Sequence, residues 1–125
     1  MDIEDINKKA KLLIDETWKD SSKWHENFNE ARKLLEGALS VDPSDETTLI
    51  NYGTVLCDMG RHKDATKYLK KAIDQSSKNK HAFYNLGVAL INYSSHDDAM
   101  VYMKKAKAKK EGVLTWEAYF DPMGH

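Results

Sequence analysis

The histidines of this sequence, His25, His62, His81, His96 and His125, are its best metal-ligating side chains, and their spacing argues against a metal site. No two stand four apart, no His-Glu-x-x-His segment occurs, and Cys57 is the single cysteine, so neither a zinc helix nor a Cys-x-x-Cys pair can form. Cys57 would be a nucleophile only with a base beside it. There is no Gly-rich phosphate loop, serine elbow or paired acidic motif, and Asp97-Asp98 suits the first turn of a helix, where carboxylates oppose the dipole. The sequence therefore predicts no catalytic residue, no cofactor and no metal. Function is expected on a surface.

The elements that would build that surface follow from composition. The chain has 125 residues, 41% hydrophobic and 31% charged, with 2 prolines and many Ala, Leu, Lys and Glu residues, which favours one all-α domain. A net charge of −1 lacks the basicity of a nucleic-acid binder, and no apolar run approaches a membrane span, so neither nucleic acid nor membrane is an expected partner. The acidic start, Met1-Asp2-Ile3-Glu4-Asp5, is unlike a signal peptide, and one cysteine fits a reducing compartment; the expected location is cytoplasmic.

A period of 34 residues runs through the chain. Laying 46–79 over 80–113 without a gap matches Asn51 with Asn85, Gly53 with Gly87, Leu56 with Leu90, His62 with His96, Asp64 with Asp98, Ala65 with Ala99, Tyr68 with Tyr102 and Ala72 with Ala106. Within the unit, Leu49, Tyr52 and Leu56, then Ala65, Leu69, Ala72 and Ile73, step by three and four, which predicts one buried stripe on each of two helices. Gly60-Arg61 and Ser94-Ser95 are the predicted turns. Gly is costly inside a helix, so Gly53 and Gly87 mark places where two backbones approach closely, faced by the small residues Ala65, Ala72, Ala99 and Ala106. His62 and His96 take equivalent places between helices, which suits a structural use.

The pattern Leu49, Tyr52-Gly53, Leu56, Ala65, Leu69, Ala72, followed by Phe83, Leu86-Gly87, Leu90, Ala99, Met103, Ala106, resembles the tetratricopeptide repeat. Ala31, Leu35, Ala38 and Val41-Asp42-Pro43 are similar to the second half of a preceding unit. The resemblance implies a right-handed α-solenoid of three stacked helix-turn-helix repeats with a short C-terminal capping segment. The expected division is a first repeat at about 4–44, a second at 46–79, a third at 80–112 and a tail at 113–125.

The first repeat departs from the pattern. Its first helix is predicted over about 4–19, with apolar face Ile6, Ala10, Leu13, Ile14 and Trp18, followed by extra residues that include Ser21-Ser22-Lys23-Trp24, where a serine would cap the next helix. Trp18, Trp24 and Phe28 read as core or end-cap aromatics, with an exposed anchor at Trp24 as the other reading. At the far end, Lys104, Lys105, Lys107, Lys109 and Lys110 suit the last turn of a helix that Gly112 would cap. The apolar run 113–120 is expected as a short helix or extended piece on the last repeat, ended by Pro122. A homodimer through 113–120, by exchange of the tail between two copies, is the sharper expectation.

The resemblance also implies a concave groove lined by the first helices. Its positions are Thr47, Ile50, Asn51, Thr54, Cys57 and Asp58, then His81, Tyr84, Asn85, Val88, Ile91 and Asn92. Some members of the resembling family carry an asparagine ladder at the Asn51 and Asn85 positions. A carboxamide both donates and accepts, so it can grip a peptide backbone whatever its side chains, or hold neighbouring repeats together. The family's clamp for acidic tails needs Lys and Arg where this chain has Thr47, Asn51, His81 and Asn85, which argues against that ligand. The resemblance thus implies a non-catalytic module binding a peptide segment or small protein. Competing readings are a dedicated inhibitor, immunity protein or specialised chaperone for one partner, and a self-associating structural protein.

Overall fold

The computed structural model describes residues 1–119. Six helices follow one another: α1 (Ile3–Lys19), α2 (Trp24–Val41), α3 (Glu46–Asp58), α4 (His62–Asp74), α5 (Lys80–Tyr93) and α6 (His96–Ala106). Each packs against the next, and α1, α3 and α5 also touch in sequence, so the first helices of the three hairpins form an inner row. The fold is an all-α solenoid of stacked hairpins with an extended C-terminal segment. Among the described residues no β-strand forms, and an isolated parallel bridge joins Asn79 to Lys110. No described helix is long and apolar enough to cross a membrane.

Short polar side chains start most of these helices. Asp2, Asp45, Asn79 and Ser95 each accept a backbone N–H from the first turn that follows, satisfying a donor the helix cannot. The α3–α4 hairpin closes on Gly60, whose φ of +83° suits a residue without Cβ. Asp97 and Asp98 lie in the first turn of α6, beside the positive end of its dipole.

The core lies between the rows. Leu49, Val55, Leu69, Leu86, Ala65, Ala72 and Ala99 are fully buried, and Ala106 nearly so. A Cβ on Gly53 would stand 2.7 Å from Leu69 Cγ and 3.3 Å from the Ala65 carbonyl oxygen. One on Gly87 would meet the Met103 side chain and stand 3.2 Å from the Ala99 carbonyl oxygen. Both contacts reach the partner helix of the same hairpin.

Four local expectations change. The buried stripe of α1 is Asn7, Ala10, Ile14 and Thr17, with Ile6 and Leu13 beside it, so the stripe bypasses Trp18, which is 64% exposed. No serine caps α2; Asp20 caps a single 3-10 turn, Ser21–Lys23, and α2 continues from it without a side-chain cap. Trp24 is half-buried, stacked on Phe28 with centroids 4.4 Å apart, and so is not an isolated anchor. Finally, α6 ends at Ala106, which leaves Lys107, Lys109 and Lys110 beyond its last turn. The Lys110 carbonyl accepts the Lys80 N–H at 2.8 Å, and Gly112 donates its N–H to Asn79 Oδ1 instead of capping a helix.

The glycine geometry yields a stability prediction. Gly53→Leu should destabilise the chain by about 1–3 kcal/mol in urea denaturation, because the facing helix must move away. Gly37→Ala is the contrast: its Cβ would meet nothing within 4 Å on an exposed helix position, so it should stabilise by about 0.5–1 kcal/mol.

Candidate interaction groove

The inner row presents a line of polar side chains from α1, α3 and α5. Asn7 Nδ2 donates to Thr48 Oγ1 at 2.9 Å, and Asn51 Nδ2 donates to Asn7 Oδ1 at 2.8 Å. Asn85 Nδ2 donates to Thr54 Oγ1 at 2.8 Å, while Thr54 returns its own proton to the Ile50 carbonyl. Each bond joins one first helix to the next or holds a bonding side chain in place. Asn7, Asn51, Thr54 and Asn85 are all buried, so their remaining donors and acceptors need protein partners.

The C-terminal segment supplies partners for Asn51 and Asn85. It runs extended along the inner row, from the start of α5 to the ends of α1 and α3, and its backbone is held almost entirely by side chains. Lys11 Nζ donates to the Val113 carbonyl at 3.0 Å, and Asn51 Nδ2 to the Leu114 carbonyl at 2.9 Å. Asn85 grips two places at once: Nδ2 donates to the Trp116 carbonyl and Oδ1 accepts the Ala118 N–H, both at 2.8 Å. Asp58 Oδ1 accepts the Tyr119 N–H at 2.8 Å. Side chains add specificity, since the Thr115 hydroxyl lies 2.6 Å from His81 Nδ1 and accepts from Asn79 Nδ2 at 3.1 Å. Thr115, Trp116 and Ala118 are buried while Glu117 faces solvent.

The tail therefore neither forms a helix nor rests on the last repeat alone. Trp116 and Ala118 fill the chain's own groove while Val113 and Tyr119 stay exposed, which seats the tail on its own chain without the homodimer through 113–120; Phe120, Pro122 and His125 lie outside the described residues. Of the groove positions expected from sequence, Asn51, Asn85, His81 and Asp58 touch the tail directly, and Thr54 supports Asn85. Ile50 and Val88 are buried, Tyr84, Ile91 and Thr47 partly so. Asn92 is exposed, bonded back to the Val88 carbonyl, and faces a separate hollow beside Gly60, Arg61 and Tyr93. Asn7, Lys11, Asn79 and Thr115 were not expected in the groove. Asn7 stands 44 residues before Asn51, so the insertion between α1 and α2 hides it from an overlay at 34.

Burial sets the ionisation of the groove. It pushes the His81 imidazole below its usual value, which favours the neutral ring against Thr115. Burial and the neighbouring Asp58 push the Cys57 thiol up to about 12, so Cys57 stays protonated and is a poor nucleophile. The Asp58 carboxyl is pushed up to about 7 by burial, opposed by the Tyr119 N–H it accepts. Among the described residues no group of three or more His, Cys, Asp and Glu side chains could hold a metal ion.

Two predictions arise from this geometry. Asn85→Ala strands both the Trp116 carbonyl and the Ala118 N–H, whereas Asn51→Ala strands a single tail carbonyl, so hydrogen exchange at the Ala118 amide should accelerate about tenfold in the first variant and less in the second. The second concerns pH. Asp58 is a weaker acid folded than unfolded, so the stability it contributes is fully present below its ordinary value of 3.8 and is lost as pH rises through about 7. Denaturation at pH 5 and pH 8 should show Asp58→Asn gaining on the parent chain at the higher pH.

Comparison with known proteins gives one family. Residues 21–86 match the coatomer epsilon subunit family, a stretch from the 3-10 turn to the middle of α5 and just over half of the chain. No curated protein matches. By its sequence and its all-helical fold, the chain belongs to the coatomer epsilon subunit family.

Proposed function

We propose that the chain is a non-catalytic interaction subunit, composed of tetratricopeptide-like repeats at about 4–44, 46–79 and 80–112, whose groove holds an extended segment of a protein partner. Its own tail is the resting occupant. The observation that carries this reading is the two-point grip of Asn85 on the Trp116 carbonyl and the Ala118 N–H. That grip reads peptide backbone, so any extended chain offering a carbonyl and an amide two residues apart can take it. Family membership supports the role, since its name is that of one subunit of a coat assembly.

The tail is also an incomplete ligand. Asn51 Oδ1 and Trp116 Nε1 are buried without a hydrogen-bond partner among the described residues, and each such atom costs stability. A partner segment that satisfied Asn51 Oδ1, or replaced the indole with a ring lacking an N–H, would displace the tail. The favoured partner segment has a hydroxyl side chain at the Thr115 position for Asn79 and His81, a large apolar residue next, and a small residue at the Ala118 position.

The test uses the full chain with the tail unseated by Trp116→Gly and Ala118→Glu, its helicity verified. A fluorescein-labelled peptide of residues 111–119 should bind this variant saturably. It should bind the parent chain at least about tenfold more weakly, because a short tether gives the cis tail an effective concentration near millimolar. Adding Asn85→Ala to the unseated variant should abolish binding. Absence of peptide binding to the helical, unseated variant overturns the proposal.

A further inference from the structure

Beyond the last bond to the tail, at the ends of α1 and α3, lies a cavity of about 400 Å³ lined by Trp18, Trp24, Phe28, Asp58, Thr17 and Tyr119 among others. Its size falls within the range of small-molecule sites. The walls are mostly aromatic. Trp24 stacks on Phe28 as one wall, and Trp18 and Tyr119 stand with centroids 6.0 Å apart and planes tilted by 38°, an open angle instead of a closed stack. Trp18 stays 64% exposed at the rim although it is among the largest apolar side chains of the chain. Neither Trp18 nor Trp24 contacts the backbone-gripping side chains through any described hydrogen bond, so the groove does not explain them.

Asp58 is the charged residue of this lining. Its Oδ1 accepts the Tyr119 amide, and no described lysine or arginine forms a salt bridge with it. A carboxylate among aromatic rings selects ligands by sign. An anion meets the carboxylate, and a neutral apolar ligand removes its remaining water without compensation. A cation on an apolar body meets both the carboxylate and the electron-rich ring faces. Among the described lining residues no carboxylate, thiol or imidazole joins Asp58 to ligate a metal ion.

We infer that this cavity is a binding site for an organic cation, an alkylammonium or guanidinium group on an apolar stem, with Asp58 as counter-charge and Trp18, Trp24 and Tyr119 as the faces that enclose it. The site shares Asp58 and Tyr119 with the last bond of the tail, so it is complete only while the tail stays seated. The same chemistry is offered by a lysine or arginine side chain of a partner protein and by a free quaternary amine.

Intrinsic tryptophan fluorescence of the full chain reads the site through Trp18 and Trp24. Titration at pH 8, above the value of about 7 to which burial raises Asp58, with tetramethylammonium, N-acetyl-lysine N-methylamide and N-acetyl-arginine N-methylamide should give a saturable change for at least one cation, at least about tenfold tighter than for neopentyl alcohol, a neutral molecule of bulk similar to tetramethylammonium. Tighter binding of the amino-acid amides assigns the site to a protein side chain, and tighter binding of tetramethylammonium assigns it to a free amine. Asp58→Asn removes the charge but keeps an oxygen that can accept the Tyr119 amide, so cation affinity should fall about tenfold or more, with hydrogen exchange at the Ala118 amide read in the same variant. Trp18→Ala, at an exposed position, should weaken the same binding with unchanged helicity. Equal binding of neopentyl alcohol, no saturable change with any cation, or full affinity in Asp58→Asn overturns the inference.

Discussion

A carboxamide buried under a row of helices has two donors and an acceptor oxygen to satisfy, and no water within reach. Asn7, Asn51 and Asn85 carry that obligation here, and the arrangement of the inner row follows from how they meet it. Asn51 joins α3 to α1 through Asn7, and Asn85 joins α5 to α3 through Thr54. The second donor of Asn51 and the remaining donor and oxygen of Asn85 go to the backbone of the tail. Holding neighbouring hairpins together and gripping an extended chain are therefore not alternative uses of these residues. One amide performs both, because its donors point along the row and into the groove at once.

The hairpins were legible in sequence because their cause is local and repeated. Gly53 and Gly87 recur where a helix meets its partner, Gly60 and Ser94 fall in the turns, and the stripe from Leu49 to Leu56 needs only a helical period to be seen. Asn7 was not legible, since the residues inserted around Asp20 displace α1 from the period while leaving its contacts in place. Trp18 misled for a related reason: it fits an apolar pattern with Ile14, yet Thr17 takes the buried place on that turn. The path of the tail has no local cause at all. Its seven or so residues carry no periodic signal, and every bond that fixes it comes from a residue at least 31 positions away, the Thr115–Gly112 contact and the neighbouring turn aside.

The family match ends at Leu86, inside α5, and so includes Asn51, Asp58, Asn79, His81 and Asn85 but neither α1 nor the tail they hold. Both sides of the groove's occupancy are thus drawn from different parts of the chain: the gripping side chains of α3 and α5 lie in the matched stretch, while Asn7, Lys11 and the bound backbone lie outside it. The ionisation of the groove is shaped by the same closure. Asp58 and His81 are desolvated where the tail passes, so an acid and a base of ordinary type are both held toward their neutral forms.

Stacked hairpins touch only their neighbours, and an array of that kind can lose its end units one at a time. The bond from Lys11 to the Val113 carbonyl spans 102 residues, and the Asn51 and Asp58 bonds to the tail span 63 and 61. These ties convert a linear stack into a ring of contacts in which the extended C-terminal segment touches the first helix. Fraying of α1 then costs the tail its seat, and loss of the tail loosens α1 and α3 together, so the chain is built to unfold in one transition, as a globular domain does, despite its repetitive interior.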